Sequence, residues 1–295
     1  MATLITNMST LFPHELIPDM FKKAAGHSSL AKLSASQPIA FKGNEVMTFS
    51  LDGEASIVGE GVKKPAGSAK IGPVSIVPVK FVYQHRVSDE FVRAGEESQL
   101  DYLTAFSDGF AMKIARAIDI AAIHGVNPAN GAASDAVSGK SFDTLVTNTV
   151  TYTAATADDN IDDAVKLIQD NDGVITGIAM ATEFASALSK IKANNVSQYP
   201  EFRFGANPAT FAGIPSDVNN TMAFGTSKDE AIVGDFANAF RWGYAANVPL
   251  EIIQYGDPDG QGDLKQQNQI VLRAEAYVGW GILDAASFVR IVKGE

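Results

Sequence analysis

The chain has 295 residues, 46% of them hydrophobic and 19% charged, with a net charge of −11 and no cysteine. This composition suits a chain that buries a large core at a length where one core begins to split into two domains, and it excludes disulfides, thiolate metal sites and cysteine nucleophiles. Residues 1–100 carry 10 basic and 10 acidic groups while 101–295 carry 13 and 24. The acidic later part would repel polyphosphate and offers no cationic stripe for tight nucleic-acid binding.

No apolar run approaches the roughly 20 residues that span a bilayer, and no basic region followed by an apolar stretch opens the chain. A membrane-free, cytosolic life is expected. In chain order, residues 1–40 read as an arm: Leu11, Phe12, Leu16, Ile17, Met20 and Phe21 give a short amphipathic stretch, followed by Gly26, Leu30 and Leu33. Such a stretch is marginal alone and needs a partner surface. Residues 46–51 alternate as a strand, and Val77 to Val87 is a second β-rich segment interrupted by Pro78.

Between them, residues 52–76 hold five glycines, Pro65 and Pro73, with few large aliphatics. That is too little apolar surface for a core and too long for an ordinary connection. A projecting two-stranded hairpin lying on another subunit is expected. From Glu97 to about His124, Leu103, Phe106, Phe110, Ile114, Ala117 and Ala121 recur every three or four residues. The spacing predicts one helix of roughly 40 Å, stopped between Gly125 and Pro128, with His124 at its C-terminal end.

A polar, Thr-rich stretch covers 129–157, and Asp158 to Asp163 opens a second helix with Ile161, Ala164, Val165 and Ile168 as its apolar face. A strand at Val174 to Met180 and a helix N-capped by Thr182 complete a small α/β unit. The rest reads as strands at 231–233, 250–253, 270–278 and 288–292. The class is α+β.

This order of parts resembles the major capsid proteins of tailed phages, the Hong Kong 97-type fold. Leu16-Ile17-Pro18 with Ser29-Leu30-Ala31-Lys32-Leu33 is similar to the family's arm, and Ala55 to Gly61 followed by Val62-Lys63-Lys64-Pro65 to its hairpin signature. Val79 to Phe91 resembles the strand leading into the spine helix, and Ile118 to Gly125 that helix's end. Ala212-Gly213-Ile214-Pro215 and Gly234-Asp235-Phe236 resemble two axial-domain markers. Ala181-Thr182-Glu183 departs from the family's usual Asn-Pro, and Met1 lies almost directly before the arm, so assembly control by a separate scaffold, or by none, is expected.

The resemblance implies an arm over 1–40, an extended hairpin loop (E-loop) over 52–77, a peripheral domain from 41–51, 78–127 and 248–282, and an axial domain from 128–247 and 283–295. It further implies a non-enzymatic subunit, without cofactor or metal, that forms pentamers and hexamers of an icosahedral virion shell around double-stranded DNA. Assembly would take place in the host cytoplasm, with a portal as partner and with or without separate scaffolding or decoration proteins. Expected inter-subunit contacts are Phe12, Leu16, Ile17, Glu60, Lys63, Lys64, Asp257 and Asp259. An encapsulin-type cargo shell and an intracellular hydrolase are the alternatives.

Some relatives cross-link a hairpin lysine to an asparagine. Lys63, Lys64 and Lys70 with Asn268 stand in the corresponding regions, where solvated or paired ions are expected instead. Asp257-Pro-Asp259-Gly-Gln-Gly-Asp263 has alternating carboxylates, but Asn268 takes the place of the Glu that closes a calcium loop. A solvated acidic turn is expected. The four histidines, His14, His27, His85 and His124, are scattered without metal-ligand spacing.

Overall fold

The computed structural model describes residues 27–53, 55–90, 96–245 and 250–294. Two sheets and one long helix organise them. A four-stranded sheet is built on β13 (Gln269–Ile282), which pairs along one edge with β3 (Val79–Ser88) and along the other with β12 (Leu250–Ile253) and β11 (Phe240–Tyr244). A six-stranded sheet has the order β4-β14-β10-β5-β9-β8, from Thr149–Tyr152, Phe288–Lys293, Asp229–Gly234, Gly177–Met180, Ile214–Val218 and Thr210–Phe211. Its β4–β14 and β5–β9 pairs are parallel and the others antiparallel.

The helices are α1 (Ser29–Leu33), α2 (Glu96–His124), α3 (Phe142–Leu145), α4 (Ala157–Gln169) and α5 (Thr182–Lys190). Along α2 the predicted stripe is buried from Leu103 through Phe106, Phe110 and Ile114. Further on, Ile118, Ile120, Ala121, Ala122 and Ile123 are all buried, so the last turns are enclosed on every side. Gly125 stops the helix at φ +66, where a Cβ would lie 2.9 Å from Ser138 Cα.

The central strands of the six-stranded sheet are apolar on both faces and follow a period of two. Ala179 and Ile232 join the core shared with α2, whereas Ile178, Met180, Ala231 and Val233 join a second core under α4 and α5. Phe142, Phe236, Phe240 and Phe288 fill the first core with ring centroids 5.1 to 6.2 Å apart.

Several expectations need correction. Residues 44–51, read as part of the sheet domain, form β1 (Asn44–Asp52), which pairs residue for residue with β2 (Ser68–Ile76) and is therefore the hairpin's own stem. Phe240–Tyr244, placed by sequence with the 128–247 unit, belongs to the four-stranded sheet. Thr182 is the first helical residue of α5 rather than its cap, because the chain turns from β5 into the helix through Ala181 alone. Only 177–180 of the expected 174–180 strand is β structure, and the polar 129–157 stretch contains α3 and β4.

The arm expectation fails over residues 28–39, which are built into this subunit. Leu30 and Leu33 are buried, Ser36 bridges Trp242 in parallel, and the N–H groups of Gln37 and Ile39 donate to the carbonyls of Trp242 and Tyr244 at 2.9 and 3.1 Å. Gly243 is what lets this segment lie so close, since a Cβ there would sit 1.6 Å from Gln37 O. Gly243→Ala is expected to cost at least about 1–3 kcal/mol through overpacking, read as a lower urea midpoint. An unchanged midpoint would remove this segment from the sheet.

Candidate assembly interface

The hairpin projects as a two-stranded ribbon in continuous register from Asn44↔Ile76 to Asp52↔Ser68. Side chains alternate between its faces. Val46 and Val74 are half-buried toward the body, and Ile76 is buried where Gly279 and Gly281 of β13 leave room for it. The other face carries Met47, Phe49 and Leu51 opposite Pro73, Ile71 and Ala69. Met47, Phe49, Leu51 and Ile71 are 62%, 63%, 73% and 64% exposed.

A ribbon of two strands is marginally stable alone, and a contiguous apolar face on it marks a contact surface. Beyond the stem, Glu60, Lys63 and Lys64 stand exposed in the tip, which turns through Gly53 and Gly61 at φ +81 and +78. Phe12, Leu16 and Ile17 lie outside the described residues.

Asp257 and Asp259 are drawn toward their own subunit. The Arg86 guanidinium on β3 donates to both Asp259 oxygens, to Gln267 Oε1 at 2.6 Å, Gln269 Oε1 at 3.1 Å, Gly262 O at 2.8 Å and Asp257 Oδ1 at 3.2 Å. Hydrogen bonding from Arg86 holds the Asp259 carboxyl down at about 2. The loop that resembles a calcium site is thus organised around a guanidinium, with Asp259 turned inward and Asp257 still partly exposed.

Two buried polar clusters fix the long helix. Asp119 accepts from Ser28 Oγ at 2.5 Å, Ser29 N at 2.8 Å, Leu30 N at 3.3 Å and Thr221 Oγ1 at 2.9 Å. Burial pushes its carboxyl up to about 6, against the pull of these donors. Ser29 Oγ and Lys32 Nζ reach Asp217 at 2.6 and 2.7 Å, tying α1 to β9 as well.

At the end of α2, His124 is a link rather than a simple cap. Its Nε2 meets Thr221 O at 2.9 Å and its Nδ1 meets Asp143 at 3.1 Å and Asp229 at 3.6 Å. Both hydrogen-bond partners accept, so both ring nitrogens carry hydrogen. Burial opposes that charge, yet Asp143, the Thr221 carbonyl and Asp229 together outweigh it and the imidazole is raised above its ordinary value. Burial and then the neighbouring Asp143 push Asp229 well above the usual carboxylate range, while His124 and Arg290 hold Asp143 below it despite burial.

His124, Asp143 and Asp229 lie close enough together to hold a cation. The Arg290 guanidinium, 2.9 Å from Asp229 and 3.1 Å from Asp143, already places a positive charge there. None of these clusters announces itself in the sequence, because each draws its members from elements far apart in the chain.

The model of the phage capsid family matches residues 9–293. The chain belongs to the phage capsid family. Among solved structures, one from Mycobacterium phage Ogopogo is 33% identical with a TM-score of 0.77, covering 91% of this chain and 92% of that one. A structure from Gordonia phage Cozz is 25% identical with a TM-score of 0.73, covering 91% and 87%. The capsid of a native GTA particle, computed with C5 symmetry, shares the fold at 16% identity and a TM-score of 0.63, covering 92% and 91%. No curated protein matches the chain.

The fold is the Hong Kong 97-type expected from the sequence, and the subunit is a major capsid protein of the virion, a structural protein and not an enzyme. The encapsulin and hydrolase alternatives are not favoured.

The titrating groups of the capsid protein set a pH dependence. Asp119, Asp229 and His124 bind protons more tightly folded than unfolded, so the stability they contribute is fully present below their ordinary values and is lost as pH rises through their folded values. Asp143 and Asp259 are depressed and contribute stability that is lost as pH falls through theirs. The subunit's Tm is expected to be higher near pH ~5 than near pH ~8, and to drop again below about pH 4. Thermal unfolding across this range checks it; a Tm at the alkaline end equal to the mildly acidic one would contradict it.

Proposed function

We propose that the subunit forms pentamers and hexamers that close into an icosahedral head around double-stranded DNA, with the hairpin of each copy laid on a neighbour. The observation that carries this reading is the exposed apolar face Met47, Phe49, Leu51 and Ile71, which the described residues leave uncovered. Glu60, Lys63 and Lys64 at the tip then meet the neighbour through charge, and the segment holding Phe12, Leu16 and Ile17 adds a second strap.

The four-stranded sheet with α2 serves as the peripheral domain and the six-stranded sheet with α4 and α5 as the axial domain nearest the ring centre. Many modest contacts of this kind let misplaced subunits leave, while the closed shell holds through their number. An acidic chain, at −11, encloses DNA without adhering to it. A portal completes the assembly, with or without a scaffolding or decoration protein, in the host cytoplasm.

Phe49→Thr with Ile71→Thr changes only exposed positions and keeps a strand-favouring cross-strand pair, so subunit stability is expected to move by no more than about 0.5 kcal/mol while closed particles are lost. Charge reversal of Glu60, Lys63 and Lys64 together should do the same. Sedimentation velocity with negative-stain imaging reads both; wild-type particle yields from the two variants would remove the hairpin from the interface.

A further inference from the structure

The six-stranded sheet ends differently at its two edges. At the β8 edge, the segment Pro200–Gly205 packs inward through Phe202, whose ring lies 5.3 Å from that of Phe211. Two residues later Phe204 points the other way. It is 99% exposed and takes φ +60, a left-handed conformation that bulky L residues adopt only under constraint. The Arg203 guanidinium lies over its ring, 5.4 Å from the centroid. An aromatic ring and a cation are thus presented together on a strained turn, and among the described residues nothing covers the ring.

At the opposite edge, α4 packs over β14 and β4. One flank of α4 faces α5 and the segment after it: Val165 packs against the second core, and Asp158 accepts from Tyr199 Oη at 3.1 Å. The other flank is the line Asn160, Asp163, Leu167, spaced at three and four residues. Asn160 anchors it at the β4 edge by accepting from Thr153 N at 2.8 Å. Further along, Leu167 is 39% exposed, with Asp163 and Asp170 exposed beside it. This is an apolar spot between two carboxylates.

The two surfaces match in chemistry and lie at opposite edges of one sheet. A ring of identical subunits joins unlike surfaces head to tail, so opposite edges are what such a ring brings together. We infer that Arg203 and Phe204 of one copy dock on the α4 flank of the next, Phe204 covering Leu167 and Arg203 lying between Asp163 and Asp170. The inference rests on the ring-forming reading above and assigns the contact between axial domains within a ring.

Three variants test it on the full chain. Phe204→Gly suits the left-handed backbone, so the subunit's Tm should stay level or rise while ring and particle yield falls at least tenfold. Arg203→Asp should reduce yield similarly, and the same chain carrying Asp163→Arg and Asp170→Arg as well should recover it. Because the protein has no cysteine, Phe204→Cys combined with Leu167→Cys gives a direct readout. A short bis-maleimide should produce a ladder of covalent multimers in assembled particles, absent from either single variant.

Wild-type assembly together with normal particle yields from Phe204→Gly and Arg203→Asp would overturn this contact alone. So would the absence of a ladder in assembled double-cysteine particles. Failure of the wild-type chain to form rings or shells would overturn the ring-forming reading and this contact with it.

Discussion

The constraint on which the rest of the structure depends is the enclosure of the last turns of α2 between two sheets. A helix buried on every side has no solvent to take up its polar groups, so each must find a partner inside the protein. Asp119 finds the N-terminal segment and Thr221, and His124 finds Thr221, Asp143 and Asp229. The same side chains that satisfy the helix therefore hold α1, α3 and β10 against it. Two sheets with no strand pairing between them among the described residues become one body through this rod, the 28–39 segment and the phenylalanines they share.

Where α2 concentrates the internal contacts, the hairpin and the edges of the six-stranded sheet are left outside them. These exposed parts are the ones whose residues make little sense in an isolated molecule: a sheet face of Met47, Phe49, Leu51 and Ile71 in water, and a phenylalanine held in a left-handed turn. A subunit that must stay folded alone and still bind several copies of itself separates the two tasks in this way. Rigidity comes from the enclosed helix, and the proposed contacts draw on the periphery.

Much of the fold could be read before the structure because its signals are local. The three- and four-residue spacing along α2 and the stop at Gly125 depend only on neighbouring residues, as does the strand at 250–253. The segments that escaped reading depend on distant partners. Phe240–Tyr244 contains Arg241 and Gly243, an unpromising strand, yet it is held between β13 and the 36–39 segment that Gly243 admits.

The hairpin was legible from its glycine and proline content, but its stem was not. Residues 46–51 alternate like any sheet strand, and nothing local says that the partner is Ser68–Ile76. The carboxylates of Asp257 and Asp259 could be seen, whereas Arg86, which turns Asp259 inward, lies on another strand and carried no signal.

The way the hairpin meets the body also sets how far it can reach. Its base is a small joint: Gly43 at φ +91, with Ile76 resting where Gly279 and Gly281 bear no side chains. Nine paired positions extend from that joint, and at about 3.3 Å per residue they make a lever of about 30 Å. Tilting such a lever by about 10° swings its far end by about 5 Å, roughly the spacing of adjacent strands. In the proposed shell, small differences in curvature between one place and another would be absorbed at this glycine-lined pivot, leaving the paired strands and the enclosed helix undeformed.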